Sequence, residues 1–198
     1  MKITGVIQAG GMSTRMGGDP KALMDLGGRR IIERVIDALD GAVDDLLVVT
    51  NTPDAYAFLG LPMVGDVFPG GGSLGGIYSG LRAASGEAAF TVACDMPFLK
   101  TAVVRLVVAR AAEGDVVIPR VGGQYETMHA AYGKRCLPHM EERLREGRLK
   151  IVGFFDRVRV VEIGEAEVAR HGDPALVFMN VNTPEELARA RAVAAGTP

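Results

Sequence analysis

Two stretches of this chain carry residue types and spacings suited to phosphate chemistry. The first, Gln8-Ala9-Gly10-Gly11-Met12-Ser13-Thr14-Arg15-Met16-Gly17-Gly18-Asp19-Pro20-Lys21, follows directly on an apolar run. Gly10 and Gly11 let backbone amides turn toward a ligand, Ser13 and Thr14 add hydroxyls, and Arg15 and Lys21 put two cations on one loop. These are the parts of a polyphosphate cradle. The simpler alternative is a glycine-rich turn with two solvated cations. The spacing differs from G-x-x-x-x-G-K-[ST], which sets the P-loop aside. The second stretch, Phe90-Thr91-Val92-Ala93-Cys94-Asp95-Met96-Pro97-Phe98, places a carboxylate at the carboxyl end of another apolar run. Ligands of open α/β sheets bind there. Mg²⁺ takes one or two carboxylates and completes its shell with phosphate oxygens and water, so a lone Asp95 facing a phosphate loop is the minimal metal site. The alternative is that Asp95 caps a helix starting near Thr101. Cys94 reads as a small buried residue, because none of the three histidines lies near it in sequence to activate a thiol.

A third cluster, Gly70-Gly71-Gly72-Ser73-Leu74-Gly75-Gly76, satisfies G-x-G-x-x-G, and Asp95 follows twenty residues after Gly75. The dinucleotide motif must open the first strand-to-helix turn, however, whereas this one follows Val67-Phe68-Pro69, and its acidic residue leads into Met-Pro. The cluster reads instead as a loop whose backbone amides and carbonyls, Gly75 among them, meet a nucleobase or ribose. Glycine makes up 26 of 198 residues, about 13% against an average near 7%, and much of the excess falls in these loops, as expected of a loop-built site.

The elements that must hold these loops are short apolar runs alternating with segments of helical period, the pattern of βαβ units. Strands are expected at Ile3 to Gln8, Leu46 to Thr50, Ala88 to Ala93, Val116 to Pro119 and Met128 to Tyr132. Helices are expected at Arg30 to Leu39, Leu74 to Ala84, Thr101 to Ala112 with Thr101 as N-cap, and Lys134 to Glu146 with an interruption at Pro138. Thr183-Pro184-Glu185-Glu186 supplies an N-cap, a first-turn proline and a glutamate for a last helix. The expected fold is α/β, a largely parallel central sheet flanked by helices in one domain, with a nucleotide-binding part over about 1–114 and an acceptor-binding part over about 115–198.

A net charge of -2 gives no general attraction for nucleic acid or anionic lipid, so neither is expected as a partner and any anionic ligand must be held locally. Cys94 and Cys136 form no C-x-x-C pair, which points away from zinc and disulfide frameworks. The amino-terminal residues lack a signal-peptide pattern and no long apolar run marks a membrane span, so a cytoplasmic location is expected.

The motifs together resemble those of the molybdenum cofactor guanylyltransferases, within the α/β nucleotidyltransferases of Rossmann-like fold. The family's L-A-G-G-x-S-x-R-M-G and following lysine are met by residues 8–17 and Lys21. Its G-P-L-[AG]-G-I is met by Gly72 to Ile77, its C-D-x-P-F by Cys94 to Phe98, and its N-x-N-T-P-E-[DE]-L by Asn180 to Leu187. The resemblance implies that Gln8, Ala9, Gly10 and Gly11 hold the nucleotide, Lys21 its phosphates, and Asp95 both Mg²⁺ and nucleotide. It implies that Asn51 and Asp66 contact the nucleotide, and that Asn180 and Asn182 meet the pterin acceptor. The implied reaction transfers GMP from GTP to molybdenum-bearing molybdopterin and releases pyrophosphate, with Mg²⁺ as cofactor, Arg15 and Lys21 stabilising the departing charge, and transient contact with cofactor-delivery or molybdoenzyme chaperone proteins. Gln8 stands where leucine is usual, Pro20 where aspartate precedes the lysine, and Ser73 where proline is usual. A CTP-using or sugar-phosphate transferase would share the phosphate and metal parts. A non-catalytic nucleotide-binding domain would keep the glycine loop without needing Asp95 and both cations.

Overall fold

The computed structural model describes residues 1–10 and 20–196. Among these residues eight strands form one sheet, β1 (Ile3–Gln8), β2 (Asp45–Val49), β3 (Met63–Val64), β4 (Ala88–Ala93), β5 (Val116–Val121), β6 (Gln124–Tyr125), β7 (His129–Gly133) and β8 (Val160–Gly164), in the order β3-β2-β1-β4-β7-β5-β6 with β8 on β5. The pairs β2–β3, β1–β2, β1–β4 and β5–β8 are parallel, while β7 runs antiparallel to both β4 and β5. The sheet is mixed and largely parallel.

Among the described residues seven α-helices flank it: α1 (Ile31–Leu39), α2 (Gly72–Ala83), α3 (Thr101–Ala109), α4 (Leu137–Arg145), α5 (Glu165–Ala169), α6 (Pro174–Val177) and α7 (Pro184–Ala194). Alternation along β1 divides the core, since successive side chains of a strand face opposite sides. Ile3 and Ile7 meet Ile32, Val35 and Leu39 of α1 and Val103, Val104 and Val107 of α3 on one face, while Val6 meets Leu74, Ile77 and Leu81 of α2 and Met140 and Leu144 of α4 on the other.

Several elements differ from the sequence expectation. Helix α2 starts at Gly72, two residues before the expected Leu74, so Gly75 and Gly76 lie in its first turns as the helix expectation had them and not in a ligand loop, and only Gly70 and Gly71 of the cluster precede it. Its glycines are there for close packing: a Cβ at Gly80 would lie 2.3 Å from Val6 Cγ1, and one at Gly71 would lie 2.9 Å from Leu144 Cδ2. Glycine costs a helix roughly 0.5–1 kcal/mol against alanine, so α2 is held by the contacts its glycines permit and not by propensity. Pro138 does not interrupt α4 but sits in its first turn, where no intrahelical N–H is needed. Lys100, not Thr101, is the N-cap of α3, with no side-chain hydrogen bond. The last helix behaves as its sequence suggests, with the Thr183 hydroxyl accepting from Glu186 N–H and the Glu186 carboxylate accepting from Thr183 N–H.

Candidate active site

Strands β3, β2, β1 and β4 are parallel, so their carboxyl ends open on one side, and the chain proceeds outward from β1 to β2 and β3 before crossing to β4. The crevice between β1 and β4 is therefore the topological switch point where α/β sheets bind ligands. Gln8 ends β1, Thr50 and Asn51 follow β2, Gly65 and Asp66 follow β3, and Cys94 and Asp95 follow β4. The strand ends are tied across this crevice: Ala9 N–H donates to Val49 O at 2.9 Å and Cys94 N–H to Gln8 O at 3.1 Å.

Asp95 is partly buried. Burial holds its carboxyl above the ordinary carboxylate range, Lys21 pulls the other way, and Glu186 adds to the rise. As α3 is capped at Lys100, Asp95 is not its cap. Its own carbonyl accepts from Val181 N–H at 2.9 Å, which fixes the Asn180-Val181-Asn182 segment against the end of β4. The apolar contacts that hold this segment are Leu26, Ile31, Met179, Val181, Leu187 and Ala190, with Phe98 packed against them. Asn182 Oδ1 then accepts from Lys21 Nζ at 2.8 Å, across 161 residues of sequence. Three of the predicted site residues, Lys21, Asp95 and Asn182, are thus brought together.

Glu186 was legible only as a capping residue, yet its Oε2 also accepts from Asn182 N–H at 2.6 Å, so the same carboxylate that starts α7 sets the backbone beside Lys21. The S/T-x-x-E capping pattern was the signal available for it.

Asn51 and Asp66 form a second group. Asn51 Nδ2 donates to Asp66 Oδ2 at 2.8 Å, and Asp66 N–H donates back to Asn51 Oδ1 at 2.9 Å. Asn180 is exposed and, among the described residues, its amide reaches only Phe178 O, at 3.4 Å. Gly10 is exposed, and a Cβ there would meet nothing within 4 Å among the described residues. Gly75 is buried in α2, 3.3 Å from Phe68 O by its would-be Cβ, so its evident role is helix packing. Gly11 and Arg15 lie outside the described residues.

The donor set suits a hard cation held mainly by substrate. Among the described residues no three His, Cys, Asp or Glu side chains gather as metal ligands, so Asp95 would supply one carboxylate and phosphate oxygens the rest. A positive charge beside Asp95 would relieve the burial that raises its pKa. Burial, with the Asp95 charge beside it, pushes the Cys94 thiol up to about 12, which favours the neutral, weakly nucleophilic form. His129 offers no base either, because it is fully buried between Phe90 and Phe178, with ring centroids 4.9 and 5.1 Å away, and burial lowers its pKa to about 3. The arrangement can bind, orient and neutralise phosphates, and it offers little acid–base chemistry.

Known proteins are similar to this chain over nearly its whole length. Residues 5–160 match the family described as MobA-like NTP transferase domain. A molybdenum cofactor guanylyltransferase of Desulfosudis oleivorans is 42% identical over 192 residues, covering 96% of this chain and 95% of the relative. One from Vibrio cholerae is 32% identical over 186 residues, covering 93% and 89%. The crystal structure of molybdopterin-guanine dinucleotide biosynthesis protein A from Archaeoglobus fulgidus superposes with a TM-score of 0.83 at 24% identity, covering 98% of this chain and 100% of that one, and at this identity it speaks for the fold. With the fold, the crevice and these full-length similarities in agreement, the chain belongs to the MobA-like NTP transferase family, among relatives named as molybdenum cofactor guanylyltransferases.

Proposed function

We propose that this chain transfers GMP from GTP to the terminal phosphate of molybdenum-bearing molybdopterin, forming the guanine dinucleotide form of the cofactor and releasing pyrophosphate. The observation that carries the reading is the meeting of Lys21, Asp95 and Asn182, from three motifs far apart in sequence, at one strand-end crevice. The names of the full-length relatives supply the base and the acceptor.

An oxygen of the acceptor phosphate attacks the α-phosphorus of GTP, and the bond from that phosphorus to the bridging oxygen breaks with its electron pair leaving on pyrophosphate. A phosphate monoester with second pKa near ~6 is already largely ionised at neutral pH, so the step transfers no proton and needs no general base. That suits a crevice whose nearest thiol and most buried histidine are both held in their neutral forms. The residues act by position and charge. Lys21 neutralises the β and γ phosphates and, with Arg15, the departing pyrophosphate. Asn182 fixes the Lys21 ammonium, and Asn180, exposed on the same segment, faces the acceptor side. Asn51 and Asp66 act as a linked pair toward the nucleoside, and residues 8–11 toward base and triphosphate. Mg²⁺, which Asp95 would hold, supplies Lewis-acid polarisation and charge neutralisation at the phosphates.

In this reading the amino-terminal part to about residue 114 serves the nucleotide and the remainder serves the acceptor, with the segment before α7 returning Asn182 to the nucleotide side. Among the described residues no helix is long and apolar enough to cross a membrane, and the reading takes the protein to act in the cytoplasm. The test is a transfer assay with radiolabelled GTP, CTP, ATP and UTP and molybdopterin as acceptor. Product from GTP with a kcat/KM well above that for CTP is expected, and a ratio near one or below would overturn the guanylyl assignment.

A further inference from the structure

Gln8 is 9% exposed, and its Nε2 is buried with no hydrogen-bond partner among the described residues. Buried amide groups are nearly always paired, so a covered side-chain N–H group without a described partner at the last residue of β1, the strand that borders the crevice, needs a reason. The opposing helix is built around it. A Cβ on Gly76 of α2 would fall 2.3 Å from Gln8 Oε1 and 2.7 Å from Cδ, so the helix leaves this carboxamide a space one methyl deep. One turn further along, Gly80 makes the same close approach to β1, but there the partner is Val6, an apolar side chain. The leucine usual at position 8 in the resembling guanylyltransferases would fill the space and leave no unpaired donor.

We infer that the Gln8 side chain reads the base: nucleotide binding uncovers its carboxamide, which donates to an acceptor on the purine, and Nε2 gains in the complex the partner it lacks among the described residues. This rests on the nucleotide reading above. It goes beyond the backbone contacts expected at residues 8–11, because those survive any side chain at position 8 and this one does not. Guanine offers two suitable acceptors, O6 and N7.

The experiment measures binding of GTP, of 7-deaza-GTP, which lacks N7, and of the triphosphate of 2-aminopurine riboside, which lacks O6, to wild type, Gln8→Leu, Gly76→Ala and the double variant, by calorimetry, with thermal melts of each protein. Gln8→Leu is expected to melt at or above the wild-type temperature, since it removes a buried unpaired donor, and to bind GTP about tenfold more weakly. The loss should vanish with whichever analogue lacks the acceptor. Gly76→Ala should retain the fold, because the added methyl displaces only the far end of a flexible side chain. It should weaken GTP binding comparably, with no further loss in the double variant. Unchanged GTP binding by Gln8→Leu, an equal loss for all three nucleotides, or additive losses in the double variant would each overturn the assignment and leave the guanylyltransferase reading standing. Failure of the wild-type protein to bind GTP would instead overturn that reading, and this assignment with it.

Discussion

Replacing Asp95 by asparagine removes one negative charge from the end of β4 and leaves the side chain's size almost unchanged. The backbone bond from Val181 N–H to Asp95 O and the bond from Lys21 to Asn182 do not involve the carboxylate, so the crevice should keep its shape. Stability follows from the sign of the pKa shift. The folded-state value is raised above 3.8, chiefly by burial, so the ionised carboxylate detracts from stability. That loss sets in as pH rises through the unfolded value and is complete once pH passes the raised folded one. Without metal or nucleotide, Asp95→Asn should therefore melt at or above the wild-type temperature at neutral pH, and its advantage should shrink on acidification. Catalysis should move the opposite way. A neutral amide is a poor ligand for Mg²⁺, and the neighbouring Glu186 carboxylate is engaged by the Asn182 and Thr183 N–H groups, so it is not placed to take over. We expect turnover to fall at least about a hundredfold, or about 2.7 kcal/mol in the barrier. The assays are GTP turnover at limiting and saturating Mg²⁺, and melts with chelator over roughly pH 3 to 7. Wild-type turnover at limiting Mg²⁺ would refute the metal assignment. A lower melting temperature at neutral pH would refute the account of the buried charge.

Two further substitutions divide the nucleotide between its phosphate and base ends. Lys21→Ala should weaken GTP binding by roughly 1.5–3 kcal/mol and GMP binding far less, because the ammonium faces phosphates that GMP lacks, and equal losses in calorimetry would move Lys21 off the triphosphate. Gly10→Ala should leave the melting temperature within a few degrees of wild type, since its Cβ meets no described atom within 4 Å, and should lower the GTP-to-CTP ratio of kcat/KM, as the resembling cytidylyltransferases usually carry alanine there. An unchanged ratio would place base selectivity elsewhere.

The sequence revealed most where one residue type has one physical use. Ile3–Gln8 and Ala88–Ala93 are strands of the expected bounds because continuous apolar runs of that length in an α/β pattern are buried on both faces. Thr183-Pro184-Glu185-Glu186 starts α7 as its capping pattern requires. Legibility failed where a residue's use depends on a distant neighbour. The helix over Leu74 to Ala84 was legible, but not why it carries Gly75, Gly76 and Gly80, whose reason is the proximity of Phe68 and of Gln8 and Val6 on β1, nor that it starts at Gly72, whose positive φ suits a glycine. The two-residue strands β3 and β6 are too short for a periodic signal, and β8 and the short helices α5 and α6 are fixed mainly by pairing with β5 and by packing. In the site, Asp95, Lys21 and Asn182 were legible as types, but their meeting was not, because 161 residues separate Lys21 from Asn182. The link between Asn51 and Asp66 was likewise invisible, since each reads alone as a polar loop residue.

The distance between these residues also shows what holds the site together. A hydrogen bond such as that from Lys21 to Asn182 contributes on the order of 1–3 kcal/mol when one partner is charged, which is too little to dock the carboxyl-terminal segment against the entropy of ordering it. Docking comes from apolar burial: Val181 and Ala190 are fully buried, Met179 and Leu187 nearly so, and they close on Leu26 and Ile31 beside Phe98. With the segment seated, Asn182 takes one of the three donors of the Lys21 ammonium, and no other described residue takes the remaining two, which the proposed function assigns to phosphate oxygens. Asn182 therefore orients the cation without competing it away from its ligand. This division of labour, in which buried apolar side chains fix the backbone and a single polar bond aims the charge, lets a site with few internal bonds meet a triphosphate with its donors already placed.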